Sequence, residues 1–319
     1  MQLQTTIPWQ PSKNPVGYAS RILLLGSCFV ENIGKKLDFY QFATRRNPFG
    51  ILFHPFAIQN LIHRALASQW YTKDEVFMQN GRWLCFDAHS DLAATSQERL
   101  VDDLNNALRS TKEELESATH LIITLGTAWV YRNKATTKAV ANCHKVPQRE
   151  FDKELLKLEQ ISTCLNGIVA QVTAVNPKAQ LIFTLSPVRH IKDGFVENQR
   201  SKSHLLTAIH QCLSQNEATA KVSYFESYEV MMDELRDYRF YDKDMVHPNS
   251  VAVDYIWERF KSVWISQEEY EVMHKVEEVQ KGLNHRPFNP ESSDHQKFLQ
   301  SLEAKITYLL QRYPFMKFR

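Results

Sequence analysis

The feature that most constrains the fold is a set of short apolar runs in which hydrophobic residues follow one another without alternation. Such runs are typical of strands buried on both faces, as in a parallel sheet. The runs are RILLLGS (21–27), HLIITLGT (120–127) and AQLIFTLSP (179–187), with weaker ones at KVSYFESY (221–228) and near the start of ATRRNPFGILFHP (43–55). Helical patterns separate them, at residues 30–37, 55–67, 96–118, 152–175 and 199–214. This alternation predicts an α/β sandwich around a mainly parallel sheet.

Two regions depart from that alternation. The segment WLCFDAHSD (83–91), after the turn QNGR, predicts an inserted strand or hairpin. Past Phe260, two polar helical patterns at 266–281 and 293–312 are separated by a stretch rich in glycine and proline. We therefore expect an α/β domain over residues 1–262 and a helical C-terminal extension over 263–319 that packs on it.

Composition excludes several classes of protein. A formal charge of +2 over 319 residues favours neither a nucleic-acid groove nor a polybasic membrane surface. The N-terminal residues lack the basic and apolar regions of a secretory signal, and no apolar run approaches the ~20 residues of a membrane span. Five scattered cysteines without a CxxC pair indicate free thiols in a reducing compartment. We expect a cytoplasmic protein with no nucleic-acid partner, no metal and no cofactor.

Residues suited to chemistry follow the predicted strands, where an open α/β sheet binds its ligands. They are Gly26, Ser27 and Cys28 after the first strand, Asn47 and Gly50 after the second, Gly126 and Thr127 after the third, and Arg189 and His190 after the fourth. Further along, the stretch DMVHP places Asp244 three residues before His247. Because the carboxyl ends of parallel strands share one edge, the sequence predicts a site there.

Ser27 lies where a strand passes directly into a helix. The free amides and positive end of that helix favour negative charge nearby, and the amide of Ser27 or Cys28 can donate to a developing oxyanion. A serine nucleophile needs a base. With the spacing of Asp244 and His247, the carboxylate can orient one imidazole nitrogen while the other accepts the serine proton.

The order of these blocks resembles a known family. DMVHP is similar to the Asp-x-x-His-Pro block of the SGNH (GDSL-like) hydrolases, and Gly26-Ser27 is similar to their first block. LLLGSCFVENIGKKL, with NPFGILFHP, LGTAWVY, LSPVRH and NQRSKSHLL, resembles the GSCFA family over roughly residues 20–260, although Val30 replaces the final alanine of the family name. The resemblance implies a flavodoxin-like three-layer fold, Ser27 as nucleophile, and His247 with Asp244 completing a triad. It implies no particular substrate.

One departure from SGNH hydrolases concerns the oxyanion. Those enzymes carry a Gly-x-Asn-Asp block, whereas the matching loop here reads Gly126-Thr127-Ala128-Trp129. The asparagine is absent. Asn47 or the backbone of Gly50 can fill its role, with Thr127 as a supplement. Loss of one such donor can cost ~10²–10³ in turnover.

Several of these residues also have simpler interpretations. Ser27 can be a helix N-cap or a tight-turn residue, and Asn47 a turn residue without a ligand. Cys28 is expected to be a small buried side chain, with a thiolate nucleophile as the alternative.

Three cationic or histidine positions are likewise open to a simpler interpretation. His190 can contact substrate, act as an alternative base, or only bond to backbone. For Arg189 a structural ion pair is favoured over a substrate anion, and Lys202 is expected to be a solvated helix position.

Two functions of different classes are consistent with the sequence. The first is a serine esterase or acyltransferase acting on an O-acyl ester, either on a carbohydrate or in a short-chain lipid ester, through an acyl-enzyme. Its partner is then a small-molecule or glycan ester. The second is a non-hydrolytic binding protein that keeps an SGNH-like pocket, and the missing asparagine motivates it. The oligomeric state is not predicted.

Overall fold

The apolar runs form the centre of the protein. The computed structural model describes residues 4–318. Its strands are β1 Arg21–Gly26, β2 Ala43–Arg46, β3 Phe77–Gln79, β4 Arg82–Leu84, β5 His120–Leu125, β6 Trp129–Asn133, β7 Ala139–Val140, β8 Phe151–Leu155, β9 Gln180–Leu185 and β10 Val222–Phe225. Its helices are α1 Phe29–Phe39, α2 Pro55–Leu66, α3 Gln97–Ser117, α4 Leu158–Val175, α5 Phe195–Gln215, the single turn α6 Ser227–Glu229, α7 Ser250–Trp264, α8 Tyr270–Leu283 and α9 Ser293–Arg312. A π-helical segment, Val230–Leu235, follows α6.

Five strands form a central sheet in the order β2-β1-β5-β9-β10, and every neighbouring pair is parallel. Among these five strands, that is the order 2-1-3-4-5 of flavodoxin-like folds. The direction of the chain across the sheet reverses between β1 and β5. The crevice at the carboxyl ends of those two strands is therefore where a ligand is expected.

Helices cover both faces of the sheet, as the continuous apolar character of the strands requires. Leu23 and Leu25 of β1 belong to one hydrophobic cluster, together with residues of α2, α3, α4 and α5. Ile22 and Leu24 point the other way, into a cluster formed with α1, α7, α8 and α9. The predicted three-layer α/β architecture is confirmed.

The chain after β5 differs from the prediction. Residues 152–175 were expected to be one helix, but Phe151–Leu155 is strand β8 and the helix begins at Leu158. β8 pairs with β6, which also pairs with β7, in a small antiparallel sheet. Local composition could not predict this, because the charged residues of β8 owe their conformation to pairing with residues some twenty positions earlier. The turn QNGR joins β3 and β4 in a hairpin, but β4 ends at Leu84, so most of the expected strand at 83–91 is not strand.

The predicted helical extension packs on the α/β part. Val276 and Val279 of α8, with Ile306 and Leu309 of α9, are buried in the cluster that covers the α1 and α7 face. That cluster is continuous across residue 262, so the boundary drawn there stays a prediction. Within residues 4–318, no helix is both long enough and apolar enough to cross a membrane.

Candidate active site

Ser27 is held at the turn between β1 and α1. Gly26 has φ of 134°, and a Cβ on it would lie 2.1 Å from the Thr124 carbonyl oxygen of β5. Only glycine fits so close to the neighbouring strand. The Ser27 amide donates to that same oxygen at 3.0 Å, and the Ser27 carbonyl accepts from the Val30 amide at 2.9 Å. These contacts place Ser27 in the crevice between β1 and β5.

The hydroxyl of Ser27 is not a helix cap. The N-cap position belongs to Cys28, whose side chain makes no capping bond. Ser27 is 0% exposed, and its Oγ has no hydrogen-bond partner within residues 4–318. A buried hydroxyl without a partner costs ~1–3 kcal/mol, so folding alone does not explain a serine here.

Asp244 and His247 form a hydrogen-bonded pair on the loop before α7. The Asp244 Oδ2 lies 2.7 Å from the His247 Nδ1, while Oδ1 accepts from the amides of Val246 and His247 at 2.8 and 3.0 Å. These backbone and imidazole donors lower the pKa of Asp244 to about 2. An ionised carboxylate fixes the proton on Nδ1, which leaves Nε2 as the basic nitrogen.

The loop that carries this pair is attached to the end of β9. The Arg189 amide donates to the Val246 carbonyl at 3.1 Å, and its Nη1 donates to the Met245 carbonyl at 3.0 Å. The guanidinium lies 5.2–5.5 Å from three ring centroids, those of Phe195, Tyr238 and Tyr241. Arg189 forms no ion pair in the described part of the chain, so the expected ion pair is wrong. The residue anchors the loop instead.

Electrostatic coupling joins this loop to the Ser27 turn. The charge of Asp244 contributes to the raised pKa of Cys28, and His247 contributes to the lowered pKa of His190. Both side chains of the pair are 48% exposed, whereas Ser27 is buried. The Ser27 Oγ makes no hydrogen bond to His247 in this conformation. The three residues meet at one edge of the sheet, but the serine–histidine bond of a working triad is not formed.

Cys28 is half-buried and packs against the α1 and α7 cluster. Burial raises the pKa of its thiol, although Lys202 and the amides of Cys28 and Phe29 lower it in part. The thiolate needed for nucleophilic attack is therefore disfavoured at neutral pH. The geometry supports a packing role.

Asn47 and Gly50, both expected to bind an oxyanion, use their polar groups to build the loop. The Asn47 Oδ1 accepts from the Gly26 amide at 2.9 Å, and its Nδ2 donates to Glu31 at 2.8 Å. The Gly50 amide donates to the Asn47 carbonyl at 2.7 Å. Both residues use polar groups within the protein, so their predicted role in binding an oxyanion stays a prediction. The amide of Asn47 instead fixes the turn that carries Ser27.

The loop after β5 is also internally paired. The amides of Gly126 and Thr127 both donate to the Phe53 carbonyl, at 2.8 and 3.1 Å. The Thr127 Oγ1 accepts from the Trp129 amide at 3.0 Å and lies 3.1 Å from the Ser201 Oγ. The Thr127 hydroxyl already bonds within the protein, and its role as a supplementary donor stays a prediction.

The His190 side chain lies beside Ser27 and Gly126. Its Nε2 and the Ser27 Cβ each lie 3.2 Å from the position that a Cβ on Gly126 would occupy. This Nε2 is buried and has no hydrogen-bond partner within residues 4–318. Burial, with the nearby Lys202 and His247, lowers the pKa of His190 to about 3. The imidazole is therefore neutral at physiological pH.

Lys202 was expected to be a solvated helix residue, and that prediction is wrong. It is 1% exposed on α5, and its Nζ donates to the carbonyls of Gly126 at 2.9 Å and Ser186 at 2.6 Å. Burial lowers its pKa to about 7. Lys202 thus joins the loops that follow β5 and β9. Only the family block NQRSKSHLL pointed to this position, since helical periodicity alone does not show that a lysine is buried.

A cavity of about 430 Å³ opens beside His190. Aromatic side chains line much of it, with polar groups between them; the lining includes Phe53, Thr127, Trp129, Tyr131, Asn142 and His190. The small antiparallel sheet supplies its far wall. Such a mixture of flat apolar and polar surface suits a small polar molecule that also carries apolar groups.

We predict that Gly126→Ala slows any reaction at Ser27. The new Cβ would lie 3.1–3.2 Å from Phe53 O, His190 Nε2 and Ser27 Cβ, so these neighbours must move. Such overpacking typically costs about 1–3 kcal/mol. We expect a folded variant with a lower melting temperature, whose modification by a serine-directed fluorophosphonate is at least about tenfold slower. Intact-mass spectrometry and thermal unfolding measure the two effects.

The control is Gly167→Ala in α4, where the added Cβ meets only the end of the Gln59 side chain. It should react at the wild-type rate. A Gly126→Ala variant that reacts as fast as the wild type would show that the contact between Ser27, Gly126 and His190 does not matter.

Comparison with solved structures gives distant matches. One solved structure matches with a TM-score of 0.36 and 11% identity, over 76% of this chain and 94% of the other. An acetyl xylan esterase (Est2A) from the rumen bacterium Butyrivibrio proteoclasticus matches with a TM-score of 0.34 and 10% identity, over 78% of this chain and 65% of the esterase. Comparison with curated protein sequences gives no match.

The family assignment comes from the sequence models of protein families. The model of the GSCFA family matches residues 21–260, which include the whole central sheet, Ser27 and the Asp244–His247 pair. The model described as GSCFA domain protein, C-terminal domain, matches residues 276–319, which include most of α8 and all of α9. The chain therefore belongs to the GSCFA family.

Proposed function

We propose that the protein is a serine esterase or acyltransferase that acts on an O-acyl ester. Ser27 is the nucleophile, His247 the general base and acid, and Asp244 the residue that orients the imidazole. The observation that carries the proposal is the 2.7 Å bond between Asp244 and the His247 Nδ1, at the same sheet edge as a serine hydroxyl that caps no helix. This arrangement leaves a basic nitrogen for the serine proton.

The reaction proceeds in two halves. The Ser27 Oγ attacks the acyl carbon while the His247 Nε2 takes its proton, and the tetrahedral intermediate collapses as the same nitrogen protonates the departing alkoxide. An acyl-enzyme remains on Ser27. Water or an acceptor alcohol then attacks it, with His247 again taking and returning the proton. Water gives an esterase, and an alcohol gives an acyltransferase.

The cavity beside His190 supports the substrate class. Its volume of about 430 Å³ and its aromatic and polar walls suit an O-acylated sugar or a short-chain lipid ester. The five cysteines are free, which supports the proposed cytoplasmic location.

A binding protein is the second candidate, and one observation favours it. The Ser27 Oγ is buried and makes no bond to His247, so substrate reaches it only after the site opens. A protein that binds an ester without cleaving it would tolerate this arrangement. In an enzyme, the bond between serine and histidine must form when substrate binds.

Covalent labelling distinguishes the two. We expect an alkyl fluorophosphonate to add one equivalent to the wild type, on Ser27, as seen by intact-mass spectrometry and peptide mapping. Ser27→Ala and His247→Ala should give no adduct, because the first lacks the nucleophile and the second the base.

His274→Gln, at an exposed histidine of α8, is the matched control and should label like the wild type. Absence of an adduct on the folded wild type would refute the enzyme proposal. It would favour the binding protein, and thermal-shift measurements with O-acetylated sugars would then test for a ligand.

A further inference from the structure

The SGNH pattern requires an oxyanion donor that this chain lacks at the expected position. The groups that the sequence offered in its place, Asn47, Gly50 and Thr127, already make hydrogen bonds to other groups of the protein. The Ser27 amide is engaged as well, with Thr124. The first amides of α1 have no carbonyl partner within the helix, so they are further candidate donors.

We propose that His190 is the missing donor, with its neutral imidazole donating a hydrogen bond from Nε2 to the oxyanion formed on Ser27. This inference rests on the proposed function and assigns a further catalytic residue to the same site. The observation that supports the inference is the position of the His190 imidazole relative to Ser27. The His190 Nε2 and the Ser27 Cβ lie 3.2 Å from one common point above Gly126, and both Nε2 and the Ser27 Oγ are buried without partners.

The surroundings of His190 fit a donor better than a base. Its amide donates to the Asn198 Oδ1 at 2.8 Å, and its ring lies edge-on to Phe53 with centroids 5.8 Å apart, so its position is fixed. Burial and the positive Lys202 keep the ring neutral, and the His190 pKa of about 3 makes it a weak base. A neutral imidazole can still donate from the nitrogen that carries its proton. A neutral histidine acts as an electrophile in this way in other enzymes.

A buried donor without a partner in the free protein is useful for catalysis. It needs no reorganisation when negative charge develops nearby, and in a site without water its bond to an oxyanion is strong. The cost to stability of leaving Nε2 unpaired is consistent with a role that appears only during the reaction.

The test measures the second-order rate of fluorophosphonate labelling at Ser27, because the phosphoryl oxygen occupies the oxyanion position as the adduct forms. His190→Phe keeps a flat ring against Phe53 but removes the donor, and it should label ~10²–10³-fold more slowly. His190→Gln places an amide donor near the lost nitrogen and should regain at least about tenfold of that rate. His210→Gln, at an exposed histidine of α5, should label like the wild type.

A second measurement follows the wild type and uses a variant only to assign the signal. In protein with ¹⁵N-labelled histidine, formation of the adduct should produce a slowly exchanging imidazole N–H signal from His190, assigned by its loss in His190→Gln. If His190→Phe labels at the wild-type rate, or if the adduct forms without that signal, the inference is wrong while the proposed function stands. If both His190 variants are folded and equally slow, the ring serves packing, which also overturns the inference. If the wild type does not label at all, the proposed function itself fails.

Discussion

Replacing Ser27 with alanine is expected to lower the kcat/KM for an O-acyl ester by at least about 10⁴-fold, because no other group in the site can form the acyl-enzyme. Cys28→Ala is expected to keep activity within a few-fold of the wild type. Burial raises the pKa of the Cys28 thiol, and its side chain packs against the core. The measurement is initial-rate hydrolysis of p-nitrophenyl acetate and of O-acetylated sugars.

Ser27→Ala and Cys28→Ala serve as controls for each other, since both replace a small side chain at the same turn. If Cys28→Ala were inactive and Ser27→Ala active, the nucleophile would be the thiol and the triad assignment would be wrong. If both retained full activity, the turnover would arise elsewhere. Circular dichroism and melting temperature must show that both variants are folded, because the Gly26–Ser27 turn is closely packed against β5.

The second large effect concerns Lys202 and the pH dependence of stability. Burial lowers the pKa of this lysine to about 7, against 10.5 in an unfolded chain. Below pH 7 the folded protein must keep the Lys202 ammonium group buried, so the free energy of unfolding is lowered by the full cost of burying that charge. As pH rises from 7 toward 10.5, the unfolded state binds more protons than the folded state, and stability rises by roughly 1.4 kcal/mol per pH unit from this group.

The comparison variant is Lys202→Met, which fills a similar volume without a titrating group. It leaves the Gly126 and Ser186 carbonyls without their donor, a loss that does not depend on pH. We expect the free energy of unfolding of the wild type, relative to the variant, to increase by about 3 kcal/mol between pH 7 and 9.5. Urea unfolding at several pH values measures it.

The wild type is compared with the variant because buried cysteines and tyrosines have raised pKa values. Above pH 8 these groups lower the free energy of unfolding as pH rises, which is opposite to the effect of Lys202. Those groups are common to both proteins and cancel. For Lys178→Met, at an exposed lysine, the difference in the free energy of unfolding from the wild type should not change with pH. If this difference were also independent of pH for Lys202→Met, the lysine would stay charged through this pH range, stabilised by its two carbonyl partners.

The sequence was most informative where burial is uniform along an element. Runs such as RILLLGS and HLIITLGT predicted central strands, because a strand covered on both faces needs apolar side chains at every position. Ser27 was proposed from its place at the end of the first strand, and Asp244 and His247 from their spacing and from the family blocks.

What the sequence did not predict depends on pairing over long distances. β8 was expected to be helical because its charged residues have no local strand signal, yet it pairs with β6. Lys202 was expected to be solvated because helical spacing does not show what lies opposite a side chain. The hydrogen bonds of Asn47 to Gly26 and Glu31 could be recognised only in the folded structure, because those partners come from β1 and α1.

The small antiparallel sheet separates the wall of the cavity from the residues proposed for the chemistry. The wall comes from this insertion between β5 and α4, whereas Ser27 and His247 lie at the starts of α1 and α7, which pack on the opposite face of the central sheet. Changes in residues 129–155 are therefore expected to reshape the wall without shifting the register of β1 against β5. Substrate choice in the proposed enzyme can then change independently of the proposed nucleophile and its base.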